Sequence, residues 1–479
     1  MLVTAAWTCG CSRSNQPRNL LLIVSDALRM DMLGCYGGPA HTPHINRLAR
    51  EGTLFENAYC TAPTTMPSAV TMLTGCYSRT FTFDHRTVYL DYLDKRVPSA
   101  FFRVGDGAHM LAEAMSEAGV DTRVSMENGL VRICNLLQGF SRLPGKKQLP
   151  ESRRRKIREK LGFQEESLAY EAMYGTLDYL LHSNPEQPFF LFKWIFDPHS
   201  PYDPAPRFRA PVDAGTVPLP HPGTFYSDFK NAALRAKLDN NRMSAAERNY
   251  VTALYRAEVE SVDDRVGAIL KALDAGGRRN RTLVVFTSDH GECLGDYGMY
   301  GHGRGVHPPL VRVPLIYSGP GIPKGQRVKT VISHLDLTPT LAELLKVQKA
   351  SPMQGVSYTG IFRGKQLPDR EVYFDYFSNL LDSWTRVDGM LSEGFQLVVD
   401  RRQGDPEFHL FDLSADPAAM KEVAAAHTAT VRRLFAQLQV IRRKNRLLLL
   451  EHAGLVRGDL DPATEREKAR KLLQTLGYL

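Results

Sequence analysis

Asn19-Leu-Leu-Leu-Ile-Val-Ser-Asp26 is an unbroken apolar run that stops at a serine and an aspartate. A strand with one wet face alternates apolar and polar residues, so a continuous run predicts a strand buried on both faces, as in a parallel sheet between helical layers. Gln187-Pro-Phe-Phe-Leu-Phe-Lys-Trp-Ile-Phe-Asp197 and Arg281-Thr-Leu-Val-Val-Phe-Thr-Ser-Asp289 repeat the pattern. All three end in aspartate. Ligands of open α/β sheets gather beyond the carboxyl ends of the strands, so a single site is expected there.

Helices are expected between these strands. Ala108 to Gly119 is amphipathic and stops at a glycine. Ser244-Ala-Ala-Glu247 is a capping box, in which serine and glutamate satisfy each other's free amides. Val262, Val266, Ile269 and Leu273 then line one face, and Gly276-Gly277 gives a stop. The alternation predicts an α/β fold: a doubly wound, mostly parallel sheet flanked by helices. Beyond about residue 350, Glu371–Tyr376, Phe395–Asp400 and Phe408–Leu413 are short and closely spaced, which predicts a smaller C-terminal antiparallel sheet. A long helix from about Ala418 to Arg446 is expected to pack on it. The resulting division is a tail over 1–18, a catalytic domain over 19–349 and a C-terminal subdomain over 350–479.

With 43% apolar and 23% charged residues, the 479-residue chain is neither disordered nor fibrous and is long enough for two cores. A net charge of +8 suits an anionic substrate. The basic runs Arg153-Arg154-Arg155-Lys156 and Arg442-Arg443-Lys444 with Arg446 read as solvated helix faces, and no nucleic-acid partner is expected. Seven cysteines with no repeated CxxC spacing indicate neither a disulfide framework nor a zinc cluster. No run of about 18 apolar residues predicts a transmembrane segment. Met1 to Cys11 reads equally as the end of a lipoprotein export signal or as a plain tail. No feature specifies an oligomeric state.

Ser25-Asp-Ala-Leu-Arg-Met-Asp-Met-Leu-Gly-Cys-Tyr-Gly37 and Thr42-Pro-His-Ile-Asn-Arg-Leu-Ala-Arg-Glu-Gly52 resemble the opening of the sulfatase family, part of the alkaline phosphatase superfamily. The likeness continues through Pro67-Ser68, Leu73-Thr-Gly75, Asp197-Pro-His-Ser-Pro-Tyr202, Ser288-Asp-His-Gly-Glu292 and Asp336-Leu-Thr-Pro-Thr340 to Leu476-Gly-Tyr-Leu479. It implies an alkaline-phosphatase-like fold and a metal-dependent hydrolase of anionic esters. Asp26, Asp289 and His290 fall on the positions that hold one divalent metal ion. Ser25 stands where many sulfatases have a second carboxylate, and His290 where an amide is common. Fewer hard oxygens and one imidazole favour manganese, magnesium or zinc over calcium.

Sulfatases carry a cysteine or serine, converted to formylglycine, in a Cys/Ser-x-Pro-Ser-Arg signature. Here the segment reads Thr65-Met-Pro-Ser-Ala69. Cys60 cannot substitute, because Pro63 lies one residue too far along. A threonine hydroxyl beside a metal is a competent nucleophile, and phosphodiesterases and phosphoethanolamine transferases of the superfamily look like this. His199 and His302, the latter where many relatives have lysine, are the candidates for binding the ester oxygens or protonating the leaving alkoxide. A second metal held by Asp197, His199 and His302 is an alternative, although that spacing departs from two-metal phosphatases. His307, His334, Asp84, His85, Lys193 and Arg304 read as supporting residues.

The reaction expected is hydrolysis of a phosphate or phosphonate ester by in-line attack of Thr65. Phosphoryl transfer, sulfate ester hydrolysis and non-catalytic binding of anionic glycans are the alternatives. The leaving group is expected to be read by loops 81–103 and 202–241.

Overall fold

A computed structural model describes residues 16–80, 87–92, 95–100, 104, 109–128, 131, 135–162, 173–215, 243–347, 353–378, 385–402 and 405–452. Asp84, His85, the segment 476–479, most of the N-terminal tail and parts of the loops 81–103 and 202–241 lie outside the described residues. The first of those loops contains an antiparallel hairpin, Thr87–Tyr92 with Lys95–Ala100, which its sequence did not suggest.

The three apolar runs form neighbouring strands. Asn19–Ser25 pairs in parallel with Phe189–Ile195 on one side and Thr282–Ser288 on the other. Every residue of all three is buried. Leu20, Leu22 and Val24 join one hydrophobic cluster while Leu21 and Ile23 join another, so the strand feeds two cores through its period of two. The sheet runs Gln326–Val328, Thr53–Tyr59, Arg312–Ser318, Thr282–Ser288, Asn19–Ser25, Phe189–Ile195, Asp121–Met126, Ser141–Arg142, with Ile332–Ser333 also on Thr53–Tyr59. Arg312–Ser318 alone is antiparallel to its neighbours in this sheet, which makes the sheet mixed and mostly parallel.

Helices cover both faces. Ala245–Ala275 begins as its capping box predicts: Ser244 Oγ accepts from the Glu247 amide at 3.2 Å, and Glu247 Oε2 accepts from the Ser244 amide at 2.6 Å. Thr65–Thr74, Leu111–Glu117 and Leu337–Leu345 supply buried side chains to the opposite core.

The C-terminal sheet is antiparallel, with strands Val372–Ser378, Thr385–Ser392, Phe395–Asp400 and Glu407–Asp412 in sequence order. Phe374, Leu391, Val398 and Phe411 point into the main core. Tyr373, Met390, Leu397 and Leu410 face Leu434 and Leu438 of the last helix. That helix spans Thr428–His452, so the expected start near Ala418 is ten residues early. Alanines 418, 419, 424, 425 and 426 favour helix. The chain turns there instead because Asp416 Oδ2 takes the Lys421 amide at 2.7 Å, the Val423 amide bonds back to Leu410 O at 2.8 Å, and Ala419 is left-handed, φ 52°.

Candidate active site at the carboxyl edge of the sheet

Asp26 follows directly on the central strand, and its amide donates to Ile195 O at 2.9 Å. The next residue, Ala27, is left-handed with φ 56°, a conformation costly for anything but glycine. It is held by both its backbone groups: its amide donates to Asp289 Oδ1 at 3.0 Å and its carbonyl accepts from Tyr255 at 2.7 Å. This sharp turn brings Asp26 beside Asp289 and His290, which end the adjacent strand. One carboxylate oxygen of each aspartate is occupied by donors. Asn128 Nδ2 and Trp194 Nε1 reach Asp26 Oδ2 at 2.6 and 3.0 Å, and the amides of Ala27 and His290 reach Asp289 Oδ1 at 3.0 and 2.8 Å. The other two oxygens, Asp26 Oδ1 and Asp289 Oδ2, are buried without a hydrogen-bond partner.

His290 Nε2 lies 3.9 Å from Asp26 Oδ1 and 3.3 Å from Asp289 Oδ2. Its Nδ1 donates to Gly291 O at 2.8 Å, which fixes the tautomer and leaves the Nε2 lone pair facing the carboxylates. Ligand atoms of the three residues all fall within 4.8 Å of one another. Burial, then the Asp289 charge, pushes Asp26 above the ordinary carboxylate range, and burial raises Asp289 to about 6. Burial also lowers His290 to about 3, keeping it neutral as a ligand must be. Two crowded carboxylates with bare oxygens and an imidazole lone pair fit a divalent cation, whose charge would relieve their repulsion. Among the described residues no second such cluster forms. Asp197 Oδ2 instead takes Arg265 Nη2 at 2.8 Å, so the alternative of a second metal on Asp197, His199 and His302 gains no support. Ser25, the missing carboxylate position, turns its hydroxyl to Asp197 O at 2.7 Å.

Thr65 is the first residue of helix Thr65–Thr74, and its Oγ1 lies 3.4 Å from His290 Nε2. Ser68, one turn on, donates to Asp289 O at 2.5 Å and ties this helix to the cluster. Cys60 is fully buried and donates to Ala62 O at 3.2 Å, and burial pushes its thiol far up. His302 and His199 complete the group. The His302 ring centroid is 4.4 Å from that of His290 and 4.8 Å from that of His199. His199 Nδ1 donates to Ser200 O at 2.5 Å. All six residues picked out in the sequence therefore meet at one edge of the sheet.

Glu292, quoted only as part of a motif, has a distinct part here. Its buried Oε1 accepts from His302 Nδ1 at 3.0 Å. Burial pulls His302 down, but the Glu292 carboxylate outweighs it and raises His302 to about 8. Asn128 and Trp194 were likewise invisible as partners of Asp26, since nothing in the sequence links positions more than 100 residues apart. Of the other polar residues near the motifs, Lys193 is buried 2.6 Å from Glu127 Oε1, His334 Nε2 meets Thr287 Oγ1 at 2.9 Å, and His307 stacks on Tyr297 at 4.0 Å.

Residues 18–347 match the family model Sulfatase, and residues 295–444 match N-sulphoglucosamine sulphohydrolase, C-terminal. The chain is 25% identical over 444 residues to an arylsulfatase of Clostridium perfringens, covering 83% of this chain and 88% of that protein. A solved structure of a protein in complex with its substrate D-glucosamine-2-N,6-O-disulfate has a TM-score of 0.69 at 18% identity, covering 90% of this chain and 98% of the other. The phosphonate monoester hydrolase of Agrobacterium radiobacter gives 0.66 at 19%, covering 90% and 96%. Both share the fold.

Proposed function

This chain belongs to the sulfatase family of ester hydrolases, and from that membership we propose that it cleaves phosphate or phosphonate esters by in-line attack of Thr65. The observation carrying this reading is the Thr65 hydroxyl 3.4 Å from His290 Nε2. It stands where the family's formylglycine precursor would be, at the amino end of a helix whose free amides favour an anion.

Asp26, Asp289 and His290 would hold one divalent cation. When bound, such a cation supplies charge that favours the deprotonated hydroxyl and neutralises the ester's non-bridging oxygens. Thr65 Oγ1, its proton released to solvent, forms the bond to phosphorus as the bond to the leaving oxygen breaks. His302 gives the departing alkoxide its proton from Nε2, because Nδ1 is committed to Glu292. His199, whose ring meets that of His302 edge-on, is placed to bind a non-bridging oxygen. Water then resolves the threonine ester. Cys60, sealed in the core and bonded to backbone, supports a mechanism without formylglycine.

Sulfate ester hydrolysis is the second reading, favoured by the match of residues 295–444 to a sulphohydrolase C-terminal model. A panel of aryl and alkyl phosphate monoesters, diesters, phosphonates and sulfates separates the two. Turnover is expected for phosphorus esters, and turnover confined to sulfates would contradict the proposal. In the same panel His302→Ala is expected to slow esters with poor leaving groups by roughly 10²-fold or more relative to activated aryl esters, the usual scale of general acid catalysis. An equal loss for both would assign His302 to oxyanion binding instead.

A further inference from the structure

Each ligand carboxylate offers one bare oxygen, but the two are restricted by different means. At Asp289 the occupied oxygen takes two backbone amides, which no change of side chain short of proline removes. At Asp26 the donors are side chains, Asn128 Nδ2 at 2.6 Å and Trp194 Nε1 at 3.0 Å, both on Oδ2. Asn128 is buried and rigidly supplied. Its neighbour Glu127 is anchored by Lys193 Nζ at 2.6 Å, Arg265 Nη1 at 3.0 Å and the Phe196 amide at 3.0 Å.

We propose that Asn128, assisted by Trp194, is a positioning residue that confines Asp26 to one-oxygen ligation and thereby biases the metal site against calcium. The inference rests on the metal-dependent reading above. Calcium takes 6 to 8 oxygens and readily uses both oxygens of a carboxylate. This site presents Asp26 Oδ1, Asp289 Oδ2 and His290 Nε2, a small set that includes a nitrogen. Such a set suits zinc or manganese, which accept imidazole and fewer ligands. Freeing Asp26 Oδ2 would add an oxygen and let the carboxylate swing to two-oxygen binding.

The test is titration of chelator-stripped full-length protein with manganese, zinc and calcium by calorimetry. Asn128→Ala is expected to weaken manganese and zinc binding about 10- to 100-fold, the usual cost of removing a partner that orients a ligand. Calcium binding should hold or improve, so that the preference narrows by at least about tenfold. Trp194→Phe keeps an aromatic ring in the core while removing the Nε1 donor with the rest of the indole's second ring, and should move the preference in the same direction. It serves as the test if Asn128→Ala does not fold. Parallel losses for all three cations, or unchanged affinities in both variants, would overturn the inference while leaving the proposed function standing. A native protein that takes up none of the three cations would defeat both.

Discussion

Thr65→Ala is expected to lower kcat/KM for a phosphonate or phosphate ester by at least about 10⁴-fold, the scale seen when a nucleophile is removed from an otherwise intact site. Metal and substrate binding should change little. Thr65 is buried at the head of its helix, and that helix is also tied to the cluster through Ser68 and Asp289 O at 2.5 Å, so the scaffold does not depend on the hydroxyl. Thr65→Ser keeps the oxygen and should retain most of the activity. Steady-state kinetics beside a metal assay decide the matter. An alanine variant that turns over within tenfold of native would remove Thr65 from the chemistry.

Glu127→Leu is expected to destabilise the fold by about 3–5 kcal/mol, the cost of leaving the buried Lys193 without its counter-ion and Arg265 with Asp197 alone. The Lys193 side chain is fully buried and that of Arg265 is 7% exposed, and both converge on Glu127. Burial raises this carboxyl, but the two cations outweigh it and hold it near 2, against an ordinary 4.5. A depressed carboxylate adds stability that is full above its unfolded value and is lost as pH falls through the folded one. The contribution should therefore be constant above about pH 5 and fade toward pH 2. Urea unfolding of native and variant at pH 7 and pH 3 measures it. Equal stabilities at pH 7 would mean that Lys193 and Arg265 are satisfied elsewhere.

That network shows where reading the sequence stops. The three central strands were legible because each is a continuous apolar run, but the candidate ligands Asp26, Asp289 and His290 came from the resemblance to the sulfatase family, since Asp197 ends a strand too and pairs with Arg265 instead. The capping box at Ser244 was legible because it is local. Strand Thr385–Ser392 was not, since Arg386, Asp388 and Gly389 interrupt its apolar pattern. Asp388 is tolerated inside because Arg401 Nη1 lies 2.5 Å and Arg442 Nη1 3.6 Å away, partners that only tertiary structure supplies. Nothing in the sequence singles out Glu127 or Asn128, for the same reason. Their meaning lies in Lys193, Arg265 and Asp26, which the chain brings to them from 66, 138 and 102 positions away.

The participation of Thr65 is tested most directly by mass analysis of protein quenched in acid during turnover of an aryl phosphonate. The peptide containing Thr65 should carry the phosphonyl group in native protein and lose it in Thr65→Ala. An adduct on another residue, with that peptide unmodified while product accumulates, would contradict attack by Thr65.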